Sequence, residues 1–396
     1  MRLRRCAVLV IEPREEIHFD AASLFDGGDG LRAELTLLAL APHLPCEIPI
    51  KTAHVDVLAS LPTTAWTERR VLDARHSPAL VDELVALGLV IADDRAHTAL
   101  RERDDRVRET NWRPLAAAAH YFGRWREVRS GDEAQRAGLA TMRDMVEKLG
   151  EPPPPVHERA APAARIALPA GEPGTFDDLL QRRATCRNFD VQPLPALQFA
   201  TMLQRVFGAQ GRVALGRDNA VIKRNSPSGG GLHPIEAYLI VQRVEGVAPG
   251  LYHYHPIDHA LEPMRSLETE ALADLALRSV AAQAYFAAAP VLVVLACRFA
   301  RSFWKYRNHA KAYRVVTLDA GHLSQTLYLS ATDLRLGAFI TGAVNEIEIE
   351  EAFGLDPLVE SVLAVCGFGA RSDTRETNEF DPARRVWDAD GRRIKA

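Results

Sequence analysis

Three arginines and a threonine crowd the segment RRATCRNF, at Arg182, Arg183, Thr185 and Arg187. Guanidiniums set this close, with a hydroxyl among them, suit bidentate contacts to a phosphate. A solvated basic face is the competing reading. Further along, NSPSGGGLHP (residues 225–234) places Pro227, Ser228, Gly229, Gly230 and Gly231 ahead of His233 and Pro234. Glycines leave main-chain N–H groups bare, so a planar or anionic group can approach closely. The flanking prolines count against a limp surface loop. The run is neither GxGxxG nor GxxxxGK followed by Ser or Thr, so neither a Rossmann nor a Walker phosphate loop is indicated.

A third segment, WKYRNHAKAYR, carries Lys305 beside Tyr306, with Lys311 and Tyr313 shortly after. Burial lowers the pKa of a lysine, and a neighbouring cation that of either group, which yields a base near neutral pH. Most Lys-Tyr dipeptides are surface residues, so the pair means little alone. The fourth, GAFITGA (residues 337–343), is on its own simply a turn with glycines. His253 and His255 alternate onto one face of a strand. With no carboxylate or cysteine at ligand spacing, an exposed edge strand is the expected setting rather than a metal site. No Ser-His-Asp or paired-carboxylate constellation is present.

The elements that must position these groups follow from periodicity. Residues 175–183 form a helix with Thr175 and Asp178 as a capping box, and PALQFATMLQRVF another, opened by Pro195 and closed by Gly208. Residues 236–241 and 251–255 read as paired strands, and 290–297 as a buried one by its unbroken Val/Leu run. A long helix spans 309–334, a shorter one 346–353, and a last strand 361–366. Before these, residues 7–11 read as a strand. Residues 78–87 form a helix that Gly88 ends before a strand at 89–92, a weak winged-helix signal. Residues 112–127 form a helix docked by the aromatic face of Tyr121, Phe122 and Trp125. Four consecutive prolines in residues 151–174 argue for an extended linker. Three regions result: a winged-helix-like domain (1–150), the linker (151–174) and a second domain (175–396).

Composition bounds the function classes. A 396-residue chain that is 47% hydrophobic and 25% charged builds proper cores. Its net charge of −4 argues against bulk electrostatic binding to nucleic acid. The most apolar runs are strand length, short of a membrane span. The opening MRLRRCAVLVIEPREE lacks a small-residue cleavage site and turns acidic at once, so a folded strand is expected rather than a signal peptide. Five scattered cysteines without a CxxC pair fit a reducing cytoplasm, with neither a disulfide framework nor a zinc site.

Taken in order, the four segments resemble the nitroreductase-like flavoproteins. More closely they resemble the SagB-type dehydrogenases that oxidise azolines in thiazole/oxazole-modified peptides, over roughly residues 175–369. The run LDAGHLSQTLYLSA (residues 318–331) is the most specific match. The resemblance implies an α+β chain: a three-layer α/β/α domain with a central mixed sheet, preceded by the winged-helix-like domain. It implies bound FMN, with Arg183, Thr185 and Arg187 at the phosphate and ribityl chain, and Pro227, Ser228, Gly229 and Gly230 along the isoalloxazine. Thr341, Gly342 and Ala343 would face the flavin edge, and Arg371 of GFGAR would add a phosphate cation. The family's catalytic Lys-Tyr pair maps onto Lys305 and Tyr306. The spacing to the following Tyr-Arg is about two residues longer than usual, which leaves Lys311 and Tyr313 as alternative occupants. A peptide substrate gripped by the N-terminal domain, a cyclodehydratase partner and a homodimer are implied as well. An NAD(P)H-dependent nitro- or quinone reductase, and a flavin-free peptide-binding scaffold, are the competing readings.

Overall fold

The computed structural model describes residues 1–216 and 219–394. The chain divides into two compact units. One comprises residues 1–124, 299–315 and 356–360; the other comprises 125–298, 316–355 and 361–396.

In the first unit, β1 (Arg2–Arg5) pairs antiparallel with β5 (Thr67–Glu68) and β6 (Val90–Ala92). A second sheet joins the long hairpin of β2 (Val10–Phe19) and β3 (Leu31–Leu40) to β4 (Ile48–Ile50). The expected strand at 7–11 is therefore split. The chain breaks where the Cys6 amide donates to the Leu89 carbonyl and the Ala7 amide to Asp104 Oδ1, and strand pairing restarts at Val10. Helices Thr52–Ser60, Arg69–Asp73 and Pro78–Ala86 bury Val57, Leu58, Leu72, Val81 and Leu84 against Leu3 and the three residues of β6. β6 follows the turn at Gly88 (φ +77°) and pairs with β1 rather than with a second wing strand.

The second unit is built on a six-stranded sheet ordered β11-β10-β9-β12-β14-β13. Its strands are β9 (Ile235–Val241), β10 (Gly250–His255), β11 (Ala260–Arg265), β12 (Val291–Arg298), β13 (Leu336–Thr341) and β14 (Glu360–Ala370). A small separate hairpin joins β7 (Gly211–Ala214) to β8 (Ala220–Lys223). Residues 291–297 of β12 are all fully buried, which is why the run carries no polar alternation. Burial of each Val or Leu there is worth about 2 kcal/mol. Glycines on β14 make room for side chains of the strands beside it: a Cβ at Gly367 would lie 2.3 Å from the ring of its β13 partner Phe339, and one at Gly369 2.3 Å from Pro290, just before β12.

Three local expectations change. Helix Thr175–Arg182 is capped by Gly174, whose amide donates to Asp177 Oδ2 (2.7 Å), not by the Thr175/Asp178 box. The long helix runs Ala312–Asp333, starting after the Asn308 left-handed turn. The strand carrying His253 and His255 is not an edge: β10 lies between β9 and β11, and His253 meets Glu262 (2.5 Å) and Glu236 (3.5 Å). Those carboxylates come from the neighbouring strands, so spacing along β10 could not reveal them. Residues 151–174 are exposed throughout, with one short 3-10 turn.

Candidate functional site: a cofactor platform and an exposed Lys-Tyr pair

Helix Ala312–Asp333 organises the platform. Asp319 is buried (3% exposed). Its Oδ2 accepts from Ser228 Oγ (2.6 Å) and its Oδ1 from the Gly229 amide (2.9 Å). Ser228 Oγ in turn accepts from the His233 amide (2.9 Å), which closes the loop on itself. One turn-pair along the same helix face, Thr326 Oγ1 meets Ser226 Oγ at 2.6 Å. The intervening backbone needs glycine: Gly230 and Gly231 sit at φ +66° and +68°, where a side chain is strained.

Another face of that helix carries Tyr328. Its hydroxyl meets Thr185 Oγ1 (3.0 Å) and accepts from the Ile340 amide (3.2 Å), and burial pushes its pKa up. The Arg183 guanidinium lies over its ring, 5.4 Å from the centre. Thr185 also bridges in parallel to Ala338 of β13. The arginine segment is thus tied to β13, whose far end is Thr341. Thr341 Oγ1 donates to Gln283 Oε1 (3.0 Å) and accepts from the Ala343 amide (3.1 Å). A Cβ at Gly342 would meet nothing within 4 Å, so main chain there faces open space.

The arginine segment is fixed from behind by Glu379. Its carboxylate is fully buried and accepts five hydrogen bonds. Those from the Arg187 amide (2.5 Å), the Asn188 amide (3.1 Å) and Asn188 Nδ2 (2.9 Å) reach one oxygen; those from Arg371 Nη1 (2.6 Å) and Trp387 Nε1 (2.8 Å) reach the other. Arg371 is buried and also donates to the Ala184 carbonyl (2.7 Å). Arg183 and Arg187 remain half-buried, with Arg187 against the rings of Tyr285 and Phe286. Glu379 gave no sequence signal, being a lone acid in an irregular tail. Asp319 and Tyr328 were visible only as members of the long-helix run.

Lys305 and Tyr306 belong to the other unit. They follow helix Phe299–Phe303 in a turn where both amides donate to the Ser302 carbonyl (3.2 and 3.1 Å). Lys305 is exposed, not buried, with Nζ 5.4 Å from the Tyr306 ring centre; Tyr306 is half-buried. Lys311 is exposed as well. Tyr313 is held differently. His120 Nε2 faces the Pro357 carbonyl (3.0 Å), which can only accept, so Nε2 carries the proton and the bare Nδ1 accepts from Tyr313 Oη (3.1 Å). Burial, against Trp112 and Phe299, pushes His120 down to about 4 and keeps it neutral.

The residues present fit a flavin mononucleotide. Two half-buried guanidiniums on one segment suit its phosphate. Glycine main chain pinned by a buried carboxylate, and open space at Gly342, suit a planar ring. Among the described residues no cluster of three or more His, Cys, Asp or Glu side chains could hold a metal, and no helix is long and apolar enough to cross a membrane.

A model of the nitroreductase family matches residues 180–370. MJ1384 of Methanocaldococcus jannaschii, named as a nitroreductase, is 31% identical over 186 residues, 47% of this chain and 87% of that one. The chain belongs to the nitroreductase family. Within it, the chain is related to proteins of SagB type. The trifolitoxin-processing protein TfxB of Rhizobium leguminosarum bv. trifolii is 27% identical over 61% of this chain. The microcin B17-processing protein McbC of Escherichia coli is 27% identical over 40% of it. The matches span 65% of TfxB and 58% of McbC, less than two thirds of either relative. Among solved structures, the E. coli microcin synthetase McbBCD complex with truncated pro-MccB17 bound gives a loose match. Its TM-score is 0.48 at 20% identity, over 67% of this chain and 94% of that one.

Proposed function

We propose that this protein is an FMN-dependent dehydrogenase that oxidises azoline rings to azoles in a ribosomally made, modified peptide. The observation that carries the reading is a conjunction. A nitroreductase match over 180–370 occurs in a chain whose relatives process trifolitoxin and microcin B17. Aromatising an azoline removes a proton from one ring carbon and a hydride from its neighbour. Bound FMN supplies the acceptor for the hydride pair of electrons. Arg183, Thr185 and Arg187 hold its phosphate and ribityl chain, with Arg371 behind them. Pro227, Ser228, Gly229 and Gly230 form the surface for its ring, and main chain at Thr341, Gly342 and Ala343 faces its edge.

Of Lys305 and Tyr306, one takes the substrate proton. The N-terminal domain, residues 1–150, grips the peptide, a cyclodehydratase delivers it, and the working form is a homodimer. The test is mass spectrometry of azoline-bearing peptides incubated with the flavin-loaded protein. Loss of two hydrogens per ring is expected. Rapid bleaching of the flavin by NADPH, with no peptide oxidised, would overturn the reading in favour of a reductase.

A further inference from the structure

The turns around Lys305 and Tyr306 stand out in charge. Between Asp274 and Asp319 the chain has no acidic residue, while residues 301–314 hold five lysines and arginines. Lys305, Arg307 and Lys311 are exposed, and among the described residues none of the three pairs with a carboxylate. Arg307 Nε donates to the Trp304 carbonyl (3.2 Å), which leaves the terminal nitrogens of its fork without a protein acceptor among the described residues. The chain as a whole is acidic, at −4, so this local excess runs against the overall sign and is not cancelled in place.

An exposed indole lies within the same turns. Trp304 is 66% exposed, whereas Trp112 and Trp387 are buried. The segment folds back on itself, with the His309 amide on the Tyr306 carbonyl (3.1 Å) and the Lys311 amide on His309 Nδ1 (3.1 Å). Trp, Tyr and Arg are the residue types that carry most of the binding energy at protein interfaces, and Trp304, Tyr306 and Arg307 stand here within one such turn. Open cations match carboxylates, and an open indole matches apolar or main-chain surface beside them. A peptide supplies both, a small free anion only the first, and the net charge opposes bulk attraction of nucleic acid.

We propose that Trp304, Lys305, Arg307 and Lys311 form a docking surface for an acidic stretch of the substrate peptide, next to the ring that is oxidised. The inference deepens the dehydrogenase reading and rests on it for the choice of a peptide.

The experiment is fluorescence anisotropy of the full chain, saturated with FMN, against short peptides that carry a far-red dye. They hold Asp-Glu-Asp, Asn-Gln-Asn or Lys-Arg-Lys in one otherwise fixed sequence without azolines. The acidic peptide is expected to bind about tenfold more tightly than the neutral one, as for a few exposed ion pairs together, with the difference shrinking in added salt. Arg307→Gln weakens the acidic peptide about threefold, and Trp304→Ala about tenfold. Arg307→Glu loses acidic preference and gains affinity for the Lys-Arg-Lys peptide, a gain that misfolding does not produce. Equal affinity for the acidic and neutral peptides overturns the proposal, as does unchanged binding of the acidic peptide in both Arg307→Glu and Trp304→Ala. Binding of a random oligonucleotide or of phosphatidylserine vesicles as tightly as the acidic peptide also overturns it, since the surface is then a contact for any polyanion. The two readings fail separately. A chain that prefers the acidic peptide but oxidises no azoline sinks the dehydrogenase reading, while azoline oxidation without any charge preference sinks this one.

Discussion

Around Ser228 the chain commits a buried carboxylate, a serine-threonine contact and two left-handed glycines to holding a few residues of main chain still. Around Lys305 it commits only a turn, and the exposed lysine sets its ammonium over the ring of Tyr306. The contrast follows from what each must do. A platform for a ring works by being in place before the ligand arrives, since every rotor frozen on binding subtracts from affinity. Desolvation tunes an amine, so a proton acceptor of that kind gains from being covered by its substrate. On the dehydrogenase reading proposed above, the peptide itself completes the site at Lys305 and Tyr306.

That contrast breaks most visibly through the exposed pair. Lys305→Ala and Tyr306→Ala are each expected to lower azoline oxidation by roughly 10²–10⁴-fold, the range of a lost general base. Both should leave FMN affinity alone, and Lys305→Ala, at an exposed site, should shift stability by no more than about 0.5 kcal/mol. Tyr313→Phe is the counter-test, because that phenol already donates a hydrogen bond to His120. Full turnover in both alanine variants, with collapse in Tyr313→Phe, would move the base from the turn to the start of the long helix.

Removing the anchor should cost the platform instead. Asp319→Ala deletes two charge-assisted bonds, to Ser228 Oγ and to the Gly229 amide. Each is worth roughly 1.5–3 kcal/mol, so FMN affinity read by fluorescence quenching should fall about a hundredfold or more. Asp319→Asn, which keeps one acceptor, should fall between. An unaltered affinity in Asp319→Ala would mean that the glycine loop is not where the flavin rests.

The two regions also differ in how far sequence could reach them. The glycine run, the arginine segment and the long helix were legible because each is local: spacing, turn chemistry and periodicity reside in consecutive residues. β12 announced itself by an unbroken apolar run, and β14 differed only in length. What escaped is what distant residues supply. Glu379 meets Arg187 from far along the chain, and the carboxylates around His253 arrive from neighbouring strands. The setting of Lys305 was not legible for a related reason: a dipeptide carries no information on what covers it.

Glu379 sharpens the comparison from behind the platform. Glu379→Gln replaces one carboxylate oxygen by a donor facing other donors, and removes the anion beside Arg371. The melting temperature should drop by several degrees. The more telling measurement is affinity for FMN against riboflavin, which lacks the phosphate. If Glu379 acts by holding the arginine segment in position, FMN binding weakens about tenfold while riboflavin binding holds. An equal loss for both would make its role purely structural.

The smallest expected effect tests how firmly Tyr313 is held, in contrast to Tyr306. Folding keeps His120 neutral down to about pH 4, through burial first and the Arg124 charge second, against the opposing bond to the Pro357 carbonyl. An unfolded histidine protonates near 6.5. The unfolded chain therefore binds the extra proton first, and stability is full above about pH 6.5 and drains as pH falls toward 4. The loss is on the order of 3 kcal/mol at the acid end. Carboxylates elsewhere titrate over part of this range in any variant, so the measurement is a difference. The melting temperature of the wild type should fall more steeply between pH 6.5 and 4 than that of His120→Gln, by a few degrees. Parallel slopes would show that His120 is not locked in the neutral form, and with it would go the reason to regard Tyr313 as anchored.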